Sequence, residues 1–176
     1  MTPHDYHNLG HSHPTEKDSD TQGLKRSGQR DVNQPIKQPE TAIRQILTAA
    51  RTIAVIGHSH KPHRASYQVA LYLRHQGYLV YPVNPQLEQI EGVRCYPTLQ
   101  SIPAAIDIVN VFRRREFLPA IAQEVQALST QPACVWTQLD IYDAAVARQL
   151  RAAGITVVMD TCLKIEHQRM LGAHPA

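Results

Sequence analysis

The sequence predicts an α/β fold, a Rossmann-like three-layer sandwich around a five-stranded parallel sheet. Three observations carry this. Short apolar runs alternate with helix-length segments, the runs break at glycine or proline, and the first run, Ile53-Ala54-Val55-Ile56, opens at Gly57 into a polar loop with Ser59 and Lys61. Apolar runs of this kind suit strands buried on both faces, which belong to parallel sheets covered by helices. Intervening helices imply right-handed crossovers within one sheet, with 3-2-1-4-5 the preferred strand order. At the carboxyl end of the first strand of such a sheet, backbone amides and the next helix N-terminus face the crevice where nucleotides bind. Gly57, Ser59 and Lys61 stand where a pyrophosphate would sit.

The elements follow in order. Pro39 and Glu40 open a helix to about Ala50 with Ile43, Ile46 and Leu47 on one face, and Thr52 to Ile56 is the first strand. Ser66 is the expected N-cap of a helix carrying Val69, Ala70, Leu71 and Leu73, which Gly77 ends. Tyr78 to Val83 is the second strand, stopped by Asn84-Pro85 because proline lacks the N–H a ladder needs. An irregular connection around Cys95 to Thr98 leads to a third strand, Asp107 to Phe112. A helix from about Phe117 to Leu128 tolerates Pro119 in its first turn. Ala133 to Thr137, a helix Tyr142 to Ala152, and a fifth strand Ile155 to Met159 complete the alternation, with a short helix after Asp160.

Composition bounds the class. With 176 residues, 43% hydrophobic, the chain supports one domain with a sizeable core. A net charge of +3 is too small to argue for nucleic acid, and no apolar run reaches the roughly 18 residues that span a bilayer. The N-terminus lacks the apolar core of a signal peptide, so Cys95, Cys134 and Cys162 are expected to be reduced in a cytoplasm. Their odd number and the absence of CxxC spacing disfavour a disulfide framework or a zinc site. Residues 1–39 read as a disordered polar tail with nearly cancelling charges, and residues 40–176 as the folded domain. The tail's His4, His7, His11 and His13 are more readily spectators than metal ligands, and the tail is where a protein partner would attach.

Because this architecture hosts many activities, the ligand has to be argued from the loops. A dinucleotide fingerprint would show GxGxxG after the first strand and an acidic residue after the second; the chain has His58, Ser59, His60 and Lys61 after Gly57, and Asn84 after Val83. NAD becomes a minor alternative, and the Walker pattern is also absent.

Five strings, taken in order, are similar to the stand-alone CoA-binding domain proteins and to the N-terminal domain of the succinyl-CoA synthetase alpha subunit. They are Gly57-His58-Ser59-x-Lys61-Pro62 with Arg64 and Ser66; Pro82-Val83-Asn84-Pro85; Asp107-Ile108-Val109-x-Val111-Phe112-Arg113; Val135-Trp136-x-Gln138-Leu139; and Met159-Asp160-x-Cys162-Leu163-Lys164-Ile165-Glu166-His167, with x any residue. The resemblance spans about residues 41–171. It implies that Gly57, Ser59, Lys61 and Arg64, with Ser66 beside them, cradle the phosphates of CoA or an acyl-CoA. It further implies that Val83, Asn84 and Pro85 meet the adenosine end. Val111, Phe112 and Arg113 would line the pantetheine arm, with Trp136 and Gln138 after the fourth strand. Gln86 stands where many members carry lysine, and Thr161 where many carry arginine, which implies a less basic site and a weaker grip on the 3′-phosphate.

The expectation is a cytoplasmic CoA or acyl-CoA binding protein, a carrier or sensor, because ligase chemistry in the resembling enzymes needs a second domain and a partner subunit. An alternative is thiol chemistry at Cys162, if it lies at a helix N-terminus with Lys164 or His167 adding positive charge. The competing reading packs Cys162 inward behind an Asp160 cap and is preferred. A third reading is an NAD-binding or regulatory module.

Overall fold

The computed structural model describes residues 38–172; the polar tail and its histidines lie outside the described residues but for the last two positions of 1–39. The elements are α1 (Glu40–Ala49), β1 (Thr52–Ile56), α2 (Ala65–His75), β2 (Leu79–Val83), a hairpin β3 (Gln89–Ile90) and β4 (Val93–Arg94), β5 (Ile108–Val111), α3 (Leu118–Gln126), β6 (Cys134–Thr137), α4 (Ala144–Ala152), β7 (Thr156–Val158) and α5 (Leu163–Leu171). Short 3₁₀ turns occupy Leu99–Ser101 and Arg115–Phe117. Five strands form one parallel sheet, β2-β1-β5-β6-β7, as the alternation of strand and helix predicts.

Strand pleating divides the core into two layers. Ile53 and Val55 of β1 join Ile43, Leu47, Val69, Leu73, Leu163 and Met170 under α1, α2 and α5. Ala54 and Ile56 face the other way, against Leu99, Ile106, Leu118, Val125, Val146 and Leu150 under α3, α4 and the first 3₁₀ turn. This period-two division makes the strands buried on both faces.

The strand order differs from the expected 3-2-1-4-5. Counting only the strands of the large sheet, it is 2-1-3-4-5, because β5 pairs with β1 (Ala54 beside Val109). Two causes are visible. The place outside β2 is already taken by Tyr96, which bridges Val83, donates its N–H to the Pro82 carbonyl at 2.9 Å and accepts from the Asn84 N–H at 2.9 Å. The link from β2 to β5 also crosses the face opposite α2, through Leu99, Ile102 and Ile106. A right-handed crossover on that face advances in the opposite direction along the sheet, which sends β5 to the far side of β1. The switch point therefore lies between β1 and β5, and a crevice opens at their carboxyl ends.

The amino ends are tied by Asp107, whose Oδ2 accepts from the Arg51 N–H (2.7 Å), the Thr52 N–H (2.9 Å) and the Thr52 hydroxyl (2.9 Å). Partial burial pushes this carboxyl up, but these hydrogen bonds and the Arg51 charge outweigh it and hold the group below the usual aspartate range. At the outer edge of the sheet the Val157 carbonyl accepts from Gln38 Nε2 (3.0 Å) and Arg151 Nη2 (3.4 Å). Asp107→Ala, which strands two backbone donors at the start of β1, is expected to lower stability by about 2 kcal/mol in urea titrations at neutral pH.

Candidate functional site

The carboxyl ends of β1 and β5 approach closely. Gly57 has φ +79, and a Cβ there would sit 2.9 Å from the Phe112 carbonyl oxygen and 3.0 Å from Arg113 Cδ. Only glycine meets both the positive φ and this backbone contact. From that turn the chain enters a loop that organises itself. The Ser59 N–H donates to Ser66 Oγ at 3.1 Å, the Lys61 N–H to Ser59 Oγ at 3.2 Å, and the Arg64 N–H to the Lys61 carbonyl at 3.0 Å. Across the crevice, Asn84 Nδ2 donates to the His58 carbonyl at 2.9 Å while its Oδ1 accepts from the Gln86 N–H at 3.0 Å, so the ends of β1 and β2 are locked together.

The loop and the first residues of α2 wall a cleft of ≈ 500 Å³, whose lining includes Gly57, Ser59, Lys61, Arg64, Ser66 and Phe112 and holds no acidic side chain. Lys61 and Arg64 are exposed and form no ion pair among the described residues. Two unpaired cations at the N-terminus of an eleven-residue helix give the cleft a positive character. A cavity of similar size at the amino end of the sheet, between Leu99 and Thr130, has no ionisable lining and lacks that character.

The expected site residues sort by exposure. Gly57, Ser59, Lys61, Arg64, Ser66, Asn84 and Phe112 meet at the cleft, and Pro85 is exposed beside it. Ser66 is not the N-cap of α2; Arg64 holds that position and Ser66 is buried in the first turn, where its hydroxyl is aimed back at Ser59. Arg113 is anchored over the Phe117 ring at 4.2 Å, a cation–π contact that holds its stem against Gly57. Val83, Val111 and Trp136 belong to the core, and the Trp136 Nε1–H donates to the Thr161 carbonyl at 2.7 Å, so its part is to fix the turn after β7. Gln138 is buried and donates to Asn110 Oδ1 at 2.6 Å.

Cys162 is half-buried at the N-cap of α5, and its side chain makes no capping hydrogen bond. Asp160 is not the cap: its Oδ1 accepts from the Asp140 N–H at 2.7 Å. Lys164 lies over the Tyr72 ring, and His167 is buried with Nδ1 2.8 Å from the Tyr72 hydroxyl, so both are engaged with α2.

Two residues escaped sequence reasoning. His58, which the sequence places in a polar loop, is 1% exposed, with Nδ1 3.0 Å from the Ser59 carbonyl and its ring edge against Tyr67. Burial pushes its imidazole down to about 4, against the raising effect of the Ser59 carbonyl. Asn110, a lone amide in an apolar strand, is fully buried, and that isolation was the available signal.

Comparison with known proteins gives the family. Residues 51–168 match the model of the CoA binding domain, and the chain belongs to that family. The Bacillus subtilis uncharacterized protein YneT is 39% identical over 125 residues, covering 71% of this chain and 91% of that protein. A solved Thermus thermophilus structure, cell-free ID.343, is 38% identical with a TM-score of 0.71 over 76% of this chain and 99% of that one. The alpha subunit of the ADP-forming acetate–CoA ligase II of Pyrococcus furiosus is 38% identical over 69 residues, which is 39% of this chain and 15% of the subunit. This chain spans 11–18% of the length of the acetate–CoA ligases of which it resembles a part.

Gly57→Ala is expected to cost at least about 2 kcal/mol, from the left-handed backbone and the Phe112 contact together, read as a lowered urea midpoint. His58 sets a pH dependence. Its folded value near 4 lies below the ordinary 6.5, so between those limits the unfolded chain binds a proton that the folded chain refuses. Stability should be full above pH 6.5 and fall as pH drops towards 4, by up to about 1.4 kcal/mol per pH unit. His167, also lowered by burial, acts with the same sign. Urea midpoints between pH 7 and 5 should fall less steeply in His58→Leu than in the parent chain; an unchanged slope would refute the assignment.

Proposed function

We propose that this protein binds CoA with its phosphates in the cleft at the carboxyl end of β1, and that it acts as a carrier or sensor. The observation that carries the reading is the acid-free cleft walled by the Gly57 turn, Lys61, Arg64 and the start of α2, in a chain of the CoA binding domain family. Backbone donors, the Ser59 hydroxyl and two cations are the groups that hold a pyrophosphate. Asn84, Pro85 and Gln86, at the mouth of β2, would border the adenosine, and Phe112 and Arg113 the start of the pantetheine arm. Gln86 offers no charge to a 3′-phosphate, so discrimination against dephospho-CoA would be slight.

Calorimetric titration of the full chain tests this. CoA should bind saturably, dephospho-CoA within a few-fold of it, and NAD far more weakly. Lys61→Ala should weaken CoA by about tenfold, the loss of one charge-assisted contact of roughly 1.5 kcal/mol. A folded protein that fails to bind CoA, or that prefers NAD, would sink the proposal.

A further inference from the structure

A second cavity of ≈ 550 Å³ opens at the same edge of the sheet, where β7 turns into α5. Its apolar wall is Ile43, Leu139, Val158, Met159 and Ile165, with Cys162 at the rim of the helix. Leu139 and Ile165, each 56% exposed, are two of the three large hydrophobic side chains exposed among the described residues, and both face this space. The charge around it is opposite in sign to that of the phosphate cleft. Glu40, Asp160 and Glu166 stand against Arg169 alone, whose guanidinium is already paired with Glu40 and with Glu166 at 2.8 Å.

The two cavities are neighbours along the strand ends. Phe112 walls the cleft and Leu139 the cavity; they follow strands in which Val111 and Thr137 are in register, and the Gln138 N–H donates to the Val111 carbonyl at 3.4 Å. From β1 to β7 are three strand spacings, about 14 Å. A pantetheine arm, from its phosphate ester oxygen to its sulfur, has about the backbone length of four extended residues, again about 14 Å. Asp160, at the cavity's rim, holds left-handed backbone (φ +55) and takes the Asp140 N–H on its Oδ1.

We infer that this cavity is an acyl pocket, so that the chain takes CoA as the thioester of a short, uncharged acyl group. The inference rests on the CoA reading above and adds the class of thioester. Apolar walls reward each methylene of the acyl chain, while the surplus of carboxylates repels an acyl group that ends in a carboxylate.

Titrating the full chain with CoA, acetyl-CoA, butyryl-CoA and succinyl-CoA separates the two claims. Affinity should rise by about fourfold per methylene from acetyl-CoA to butyryl-CoA, and succinyl-CoA should bind at least tenfold more weakly than butyryl-CoA. Ile165→Asp, at an exposed position in the first turn of α5, should erase the ratio between butyryl-CoA and CoA. CoA binding with all three thioesters equal to it within twofold, or with succinyl-CoA preferred, would overturn the acyl pocket and leave the CoA reading intact. An unchanged butyryl-CoA to CoA ratio in Ile165→Asp, with the fold verified by circular dichroism, would also overturn it. Failure of CoA itself to bind the folded parent chain would overturn both.

Discussion

The close approach of Gly57 to the Phe112 carbonyl governs the whole carboxyl edge, because β1 is hydrogen-bonded on both sides and its chain has only one way out. A side chain at that point would push β1 and β5 apart at their ends. Gly57 also donates its N–H to the Val83 carbonyl at 2.9 Å, so the same residue seals the junction with β2. With the three strand ends drawn together, the loop that follows must rise over the edge, and its own hydroxyls, Ser59 and Ser66, then hold it there.

Electrostatics divides that edge into two halves. Over β1 the cleft is lined by Lys61 and Arg64, which form no ion pair among the described residues; beside β7 the one cation lining the second cavity, Arg169, is paired with Glu40 and Glu166. A long ligand with a polyanionic head and an uncharged tail can satisfy both halves in one orientation. Reversing it would place phosphates among Glu40, Asp160 and Glu166, which gives the edge a direction as well as a chemistry.

Much of this was legible before any coordinates. The strands show as apolar runs since both of their faces are covered, and the turns show as Gly57, Gly77 and Asn84-Pro85, where backbone rules leave little choice. What local pattern could not supply was strand order, since it depends on which face the β2–β5 link crosses and on Tyr96 filling the edge of β2. At the site, residue type singled out groups that line the cleft, yet it could not tell an exposed histidine from one roofed by Tyr67, nor separate Trp136 in the core from Phe112 at the cleft. The acidic cavity was equally hidden, for its walls come from α1, β7 and α5, distant in sequence and joined only by the fold.

The treatment of the two outermost strands has a consequence for the protein in crowded solution. A bare strand edge is a template on which other chains can add, and sheets of this kind carry two such edges. At β2 the Pro82 carbonyl is met by Tyr96, and Pro82 has no N–H to offer; at three-residue β7 the Val157 carbonyl is engaged by the side chains of Gln38 and Arg151. The Pro82 and Val157 carbonyls are thereby withheld from any strand that approaches either flank.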